Sequence, residues 1–176
     1  MPRVTVVTCD VPGESVVDRT KVAQADFRDS YRAPLSDPAV GPVDLFHAVF
    51  GHHPVWAKAM LITRNALARR AGLVAPTIAE ILRPNVQASY VVGDTIGVWP
   101  VYALSETELV AGRDNHHLDF RLSVLKQMDG DAARVVISTI CNAHNRFGRT
   151  YLRVIVPFHK WGVKHLIRRA IRAGRL

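Results

Sequence analysis

Apolar and polar positions change their rhythm about halfway along this chain, from mixed helical and strand spacing to almost unbroken alternation. Arg3 to Thr8 is β-branched and loosely alternating, which predicts a first strand broken by Pro12-Gly13. Ala25, Phe27, Asp29 and Tyr31 alternate with Asp26, Arg28, Ser30 and Arg32, the pattern of a half-exposed strand. Pro34, Pro38 and Gly41-Pro42 turn the next stretch into a loop. Val43 to Phe50 has apolar residues at helical spacing and stops at Gly51-His52-His53-Pro54. A second helix is expected from Pro54, a residue whose missing N–H costs nothing in a first turn. Its stripe of Val55, Ala59, Ile62, Ala66 and Leu67 ends at Gly72, and a short helix over Thr77 to Leu82 stops at Arg83-Pro84.

Beyond Tyr90 the strand period takes over. Thr95 to Leu104, Glu108 to Arg113, His117 to Lys126, Arg134 to His144 and Arg149 to Pro157 follow one another with short polar connections, as in an antiparallel meander. Helices before the main run of strands and once after it predict an α+β fold of one domain, residues 1–176, closed by a C-terminal helix from Phe158. Asp129-Gly130 is a strong two-residue hairpin signal. Pairing Met128 with Asp131 sets Leu118 opposite Cys141, Phe120 opposite Thr139 and Leu122 opposite Ile137. A further turn at Asn145-Arg146-Phe147-Gly148 would lay Tyr151 beside Asn142 and Arg153 beside Ile140. One sheet face is then apolar, and both turns agree on it. The other gathers His117, Asp119, Arg121, Asn142, His144, Arg149, Tyr151 and Arg153.

Composition adds bounds rather than detail. The chain is 48% hydrophobic and 22% charged, ordinary for a globular protein that needs no staples. Cys9 and Cys141 sit in apolar stretches, where free buried thiols are the expectation. There is no signal-like start and no apolar run near the roughly 18 residues a spanning helix needs, so the cytoplasm is the default compartment. The net charge of +8 is concentrated: six cations and no acid lie between Phe158 and Leu176, which leaves +2 for the rest. That helix complements its own dipole and invites a weak contact with an anionic membrane surface. Nucleic acid is the poorer partner, because no aromatic stacking platform accompanies the charge.

The polar face supplies the candidate chemistry. Asp119 could orient His117 as an acid–base pair, with Arg121 and Tyr151 completing a catalytic wall. Asn142, His144, Arg149 and Arg153 would orient a ligand, with His52 and His159 near its mouth. The same alternation is also what a solvated outer face shows. Histidine spacing fits no zinc pattern, no nucleophile elbow surrounds Ser105, Ser123 or Ser138, and neither metal nor cofactor is expected.

Gly112-Arg113-Asp114, His117-Leu118-Asp119-Phe120-Arg121, His144-Asn145 with Gly148-Arg149, and Val156-Pro157-Phe158-His159 together resemble the bacterial domain of unknown function 2867 family. Phe46, Phe50, Pro54 and Trp56, then Arg64-Asn65-Ala66-Leu67, Gly72-Leu73 and Val92-Gly93-Asp94, are similar to its earlier segments. The family in turn resembles the START and Bet v 1-like (SRPBCC) helix-grip superfamily. That likeness implies a curved antiparallel sheet wrapping a long C-terminal helix, and the residue pattern adds two helices between the early strand and the meander. It also implies an apolar or amphipathic small molecule held between sheet and helix. Two readings stand: a binding module, or an enzyme of the same fold (cyclase, dehydratase or hydrolase) acting on a polyketide-like or aromatic substrate. A homo-oligomer is compatible with either.

Overall fold

A computed structural model describes residues 5–52, 54, 87–130 and 132–176. In chain order its elements are β1 (Val7–Cys9), α1 (Arg19–Ala23), β2 (Phe27–Leu35), α2 (Pro42–Phe50), β3 (Thr95–Ile96), β4 (Trp99–Leu104), β5 (Glu108–Asp114), β6 (Leu118–Asp129), β7 (Ala132–Ala143) and α3 (Arg146–Arg172). The strands form one seven-stranded open sheet in the order β1-β2-β7-β6-β5-β4-β3, every neighbouring pair antiparallel. The α+β architecture expected from the sequence, an antiparallel sheet with a long C-terminal helix in a helix-grip arrangement, is therefore present. The helices expected from Pro54 to Gly72 and over Thr77 to Leu82 lie outside the described residues.

The β6–β7 hairpin turns one residue later than expected. Asp129 pairs with Ala132, so Gly130 takes the first central position, where its positive φ of 60° suits the turn. Leu118 consequently faces Ala143, Phe120 faces Cys141 and Leu122 faces Thr139. The register moves by two residues, so each side chain keeps its face. Leu118, Phe120 and Leu122 do share a face with Ile137, Thr139 and Cys141. Thr95 to Leu104 is two strands folded at Gly97-Val98, not one. Pro34 is accommodated inside β2, which runs on to Leu35.

The largest correction concerns Arg149 to Pro157, which is helix and not strand. Thr150, Val154, Ile155 and Val156 have strand propensity, but Asn145 caps a helix here: its side-chain oxygen accepts from the Gly148 N–H at 2.9 Å. What reads as a hairpin turn at 145–148 is the first turn of α3. Pro157 sits inside α3, where it gives up one backbone hydrogen bond without ending the helix. The start of α3 is pressed onto the sheet, and a Cβ at Gly148 would lie 2.0 Å from the His117 carbonyl oxygen.

Both α2 and α3 pack on the apolar side of the sheet. Tyr31, Val135, Ile137, Leu122, Val124 and Leu109 meet Phe46, Val49, Leu166 and Ile167 in the main core. The opposite side is covered as well, by the segment 10–25 that contains α1. Val11, Val17, Val22 and Ala25 close over Val110 and Ile140. The polar face therefore neither looks toward the C-terminal helix nor stands open to water, but lies under this strap.

Candidate functional site

The outer, strap-covered face contains a row of serines, Ser30, Ser138 and Ser123, directly opposite one another on β2, β7 and β6. Ser30 and Ser138 hydrogen-bond to each other at 2.8 Å. Glu108 on β5 is 1% exposed and accepts three hydrogen bonds: from Ser123 Oγ at 2.6 Å, Ser15 Oγ at 2.6 Å and the Val16 N–H at 2.7 Å. Two of the three donors belong to the strap, so this carboxylate latches it down.

Asp119 acts similarly. It is held between Lys21 Nζ and His144 Nε2, each at 2.9 Å. Burial pulls its carboxyl toward the neutral form, but the hydrogen bonds from His144 and Lys21 outweigh it and hold the group below its ordinary value. Asn142 Nδ2 donates to the Lys21 carbonyl at 3.0 Å. Arg121 forms a two-pronged bond with Asp114, at 2.6 and 3.1 Å, and lies 3.6 Å above the Tyr102 ring.

The catalytic wall read from the sequence is thus not assembled as one site. His117 precedes β6, and its ring meets Phe147 and Tyr151 edge-on at 5.4 and 6.0 Å, while Asp119 turns to the strap. Tyr151, Arg149 and Arg153 are helical, so none stands on a strand beside β7. Arg149 lies 3.5 Å from Asp26, and Arg153 is exposed. His52 is exposed just beyond the end of α2. Burial, then the nearby Arg175 and Arg169, hold its imidazole below the ordinary value.

Of those residues, His159 alone faces a carboxylate on the helix-packed side of the sheet. Its Nε2 lies 3.3 Å from Asp29 Oδ1, and the Tyr31 hydroxyl donates to Asp29 Oδ2 at 2.7 Å. Asp29 and Tyr31 are both buried on β2, two residues apart and therefore on one face. Burial, then the hydrogen bond to Asp29 and its charge, raise the Tyr31 phenol, which stays a hydrogen donor. Phe27, the next residue on that face, meets His159 edge-on at 5.5 Å. Opposite Asp29 on β7 stands Thr139, 5% exposed, whose Oγ1 has no hydrogen-bond partner among the described residues. Cys141, opposite Phe27, has its thiol pushed up to about 12 by burial and then by Asp29 and Asp26. It stays protonated at neutral pH and makes a poor nucleophile.

Beside this group a hollow of about 290 Å³ opens between the β1–β2 edge and α3. Thr8, Asp10, Asp29 and Tyr31 line its sheet side, with Lys160 and Lys164 on the helix side. Lys164 Nζ lies 5.0 Å from the centre of the Tyr31 ring and Lys160 Nζ lies 5.7 Å from that of Phe27. The hollow combines the Tyr31 ring, a paired carboxylate and two ammonium groups. Such a mixture can orient a small amphipathic molecule. Asp29 was legible as the one acid on the apolar phase of Phe27 and Tyr31, but its partner on α3 was not. Among the described residues no three His, Cys, Asp or Glu side chains are placed to share a metal ion.

Sheet, strap and long helix define an α+β domain with its polar exception on the helix-facing side. The chain belongs to the family described as protein of unknown function (DUF2867), whose profile matches residues 21–166. The match takes in β2, the meander and α3 through Leu166, and with them Asp29, Tyr31, Thr139 and His159. No curated protein and no solved structure matches the chain.

Proposed function

We propose that this chain is a small-molecule-binding module of the START/Bet v 1-like helix-grip kind. It takes an apolar or amphipathic ligand between the sheet and α3. The observation that carries this reading is the hollow itself, where Asp29, oriented by His159 and Tyr31, shares a lining with Lys160 and Lys164. The hollow of about 290 Å³ lies at the lower end of ligand-pocket volumes. It suits a compact molecule, or the polar end of a longer one. Lys160 and Lys164 favour an anionic group there.

Native mass spectrometry of protein purified from its own host tests this directly, since a retained small molecule adds its mass. Asp29→Asn should lower occupancy at least about tenfold, equivalent to 1.4 kcal/mol. Asp119→Asn, on the strap side, should leave it unchanged. Equal occupancy in the Asp29 variant and the parent protein would remove the hollow as the site.

The Asp29–His159 pair favours a second reading, an enzyme of the same fold in which the carboxylate orients an imidazole base. Incubating the retained molecule with the protein and following its mass separates the two. Conversion that disappears in His159→Gln supports catalysis, and an unchanged mass supports binding alone.

A further inference from the structure

Helix α3 carries eight Arg and Lys side chains and no Asp or Glu in its 27 residues. Its buried side, with Leu152, Val163, Leu166, Ile167 and Ala170, docks on the sheet. On the other side Phe147, Val154, Phe158 and Trp161 are each at least half exposed. Their spacings of seven, four and three residues put them along one line of the helix, roughly 20 Å long at 1.5 Å per residue. Three of the four are aromatic. Arg153, Arg168, Arg169 and Arg172 are exposed on the same helix.

We infer that this stripe is a docking surface for an anionic lipid bilayer, with α3 lying in the plane of the headgroups. Two properties select that partner. The rings and Val154 gain by leaving water for the acyl boundary, and the flanking cations gain from anionic headgroups. A second copy of the chain is a poor occupant, because two such helices side by side would bring their exposed Arg168, Arg169 and Arg172 together, with no acid on either helix to meet them. A nucleic acid would satisfy the cations but offers no apolar phase for Val154. Docking here is in-plane rather than spanning: among the described residues no helix is long and apolar enough to cross a membrane. The inference stands apart from the hollow, which lies between α3 and the β1–β2 edge.

Sedimentation with phosphatidylglycerol–phosphatidylcholine vesicles, against phosphatidylcholine alone, reads it out. Binding should favour the anionic vesicles and weaken sharply by about 0.5 M salt. Phe158→Ser with Trp161→Ser should reduce it at least about tenfold, and Arg153→Glu with Arg168→Glu by a similar factor. All four positions are exposed, so unfolding midpoints should stay near the parent value. Three results would overturn the inference: equal binding to both vesicle types, full anionic-vesicle binding by the Phe158/Trp161 variant, or vesicle-free self-association that this variant abolishes. Tight binding to duplex DNA without vesicle binding would do the same and point to nucleic acid.

Discussion

On the outer side of the sheet Glu108 accepts three hydrogen bonds, Asp119 meets Lys21 and His144, and Ser30 meets Ser138. On the helix-packed side Asp29 is shared by Tyr31 and His159, while Thr139 opposite it has a hydroxyl with nothing to bond among the described residues. Both sets are buried, so burial alone does not distinguish structural from functional polarity. The difference lies in closure. The outer network ends on itself and fastens residues 10–25, whereas the inner one stops short beside a hollow. A closed buried network holds a fold together; an open one leaves a valence for something else.

The strongest way to break this contrast is Glu108→Ala. It strands two serine hydroxyls and the Val16 N–H, and it should cost about 3 kcal/mol in chemical denaturation. Limited proteolysis should then cut within residues 10–25. A loss under about 1 kcal/mol, within the range of surface changes, would mean the strap needs no latch.

A smaller pair of changes sharpens it. Ser123→Ala takes one donor from a buried carboxylate and should destabilise by about 2 kcal/mol. Thr139→Val removes an unbonded hydroxyl at nearly constant shape and should stabilise by about 1 kcal/mol. If both changes destabilise, the inner network is as closed as the outer, and the argument from Thr139 fails.

The smallest effect is on pH dependence. Burial lowers the His47 imidazole below its ordinary 6.5, with Asp44 opposing weakly. The folded state therefore binds this proton less readily than the unfolded chain. Its contribution is full above about pH 6.5 and is lost as pH falls through the lowered folded value. Asp119, also lowered, contributes fully above its ordinary 3.8 and loses that contribution further into acid. Urea midpoints against pH should show two separate declines. His52, lowered as well, shares the upper window, so His47→Gln should shrink the upper decline and Asp119→Asn the lower; a decline unchanged by its own substitution assigns it elsewhere.

Much of the sheet was legible because its signals are local. Alternation through Leu118, Phe120 and Leu122 fixed the faces, and Gly130 marked the hairpin to within a residue. Val43 to Phe50 formed the helix its spacing predicts. Arg149 to Pro157 was misread because its β-branched residues and proline outweigh, on a local reading, the cap at Asn145. That cap prevails because the helix it starts buries Leu152, Val163 and Ile167. The polar face was found, but not what covers it: α1 is five residues long and too short to announce itself. His159 was picked out without Asp29, since the two are 130 positions apart.

The sheet order places β2 against β7, so Ser30 bonds to a serine 108 positions later. During synthesis, β2 emerges early yet has no neighbour on that side until β7, some 108 positions later, has followed it. The hollow, walled by Thr8 to Tyr31 and by Lys160 and Lys164, is complete only after α3 docks. Closing so long a loop is slow, and it leaves β2 as an open strand edge meanwhile. On a ribosome, the proposed ligand site is thus completed only once α3 has emerged, long after the strands that form its other wall.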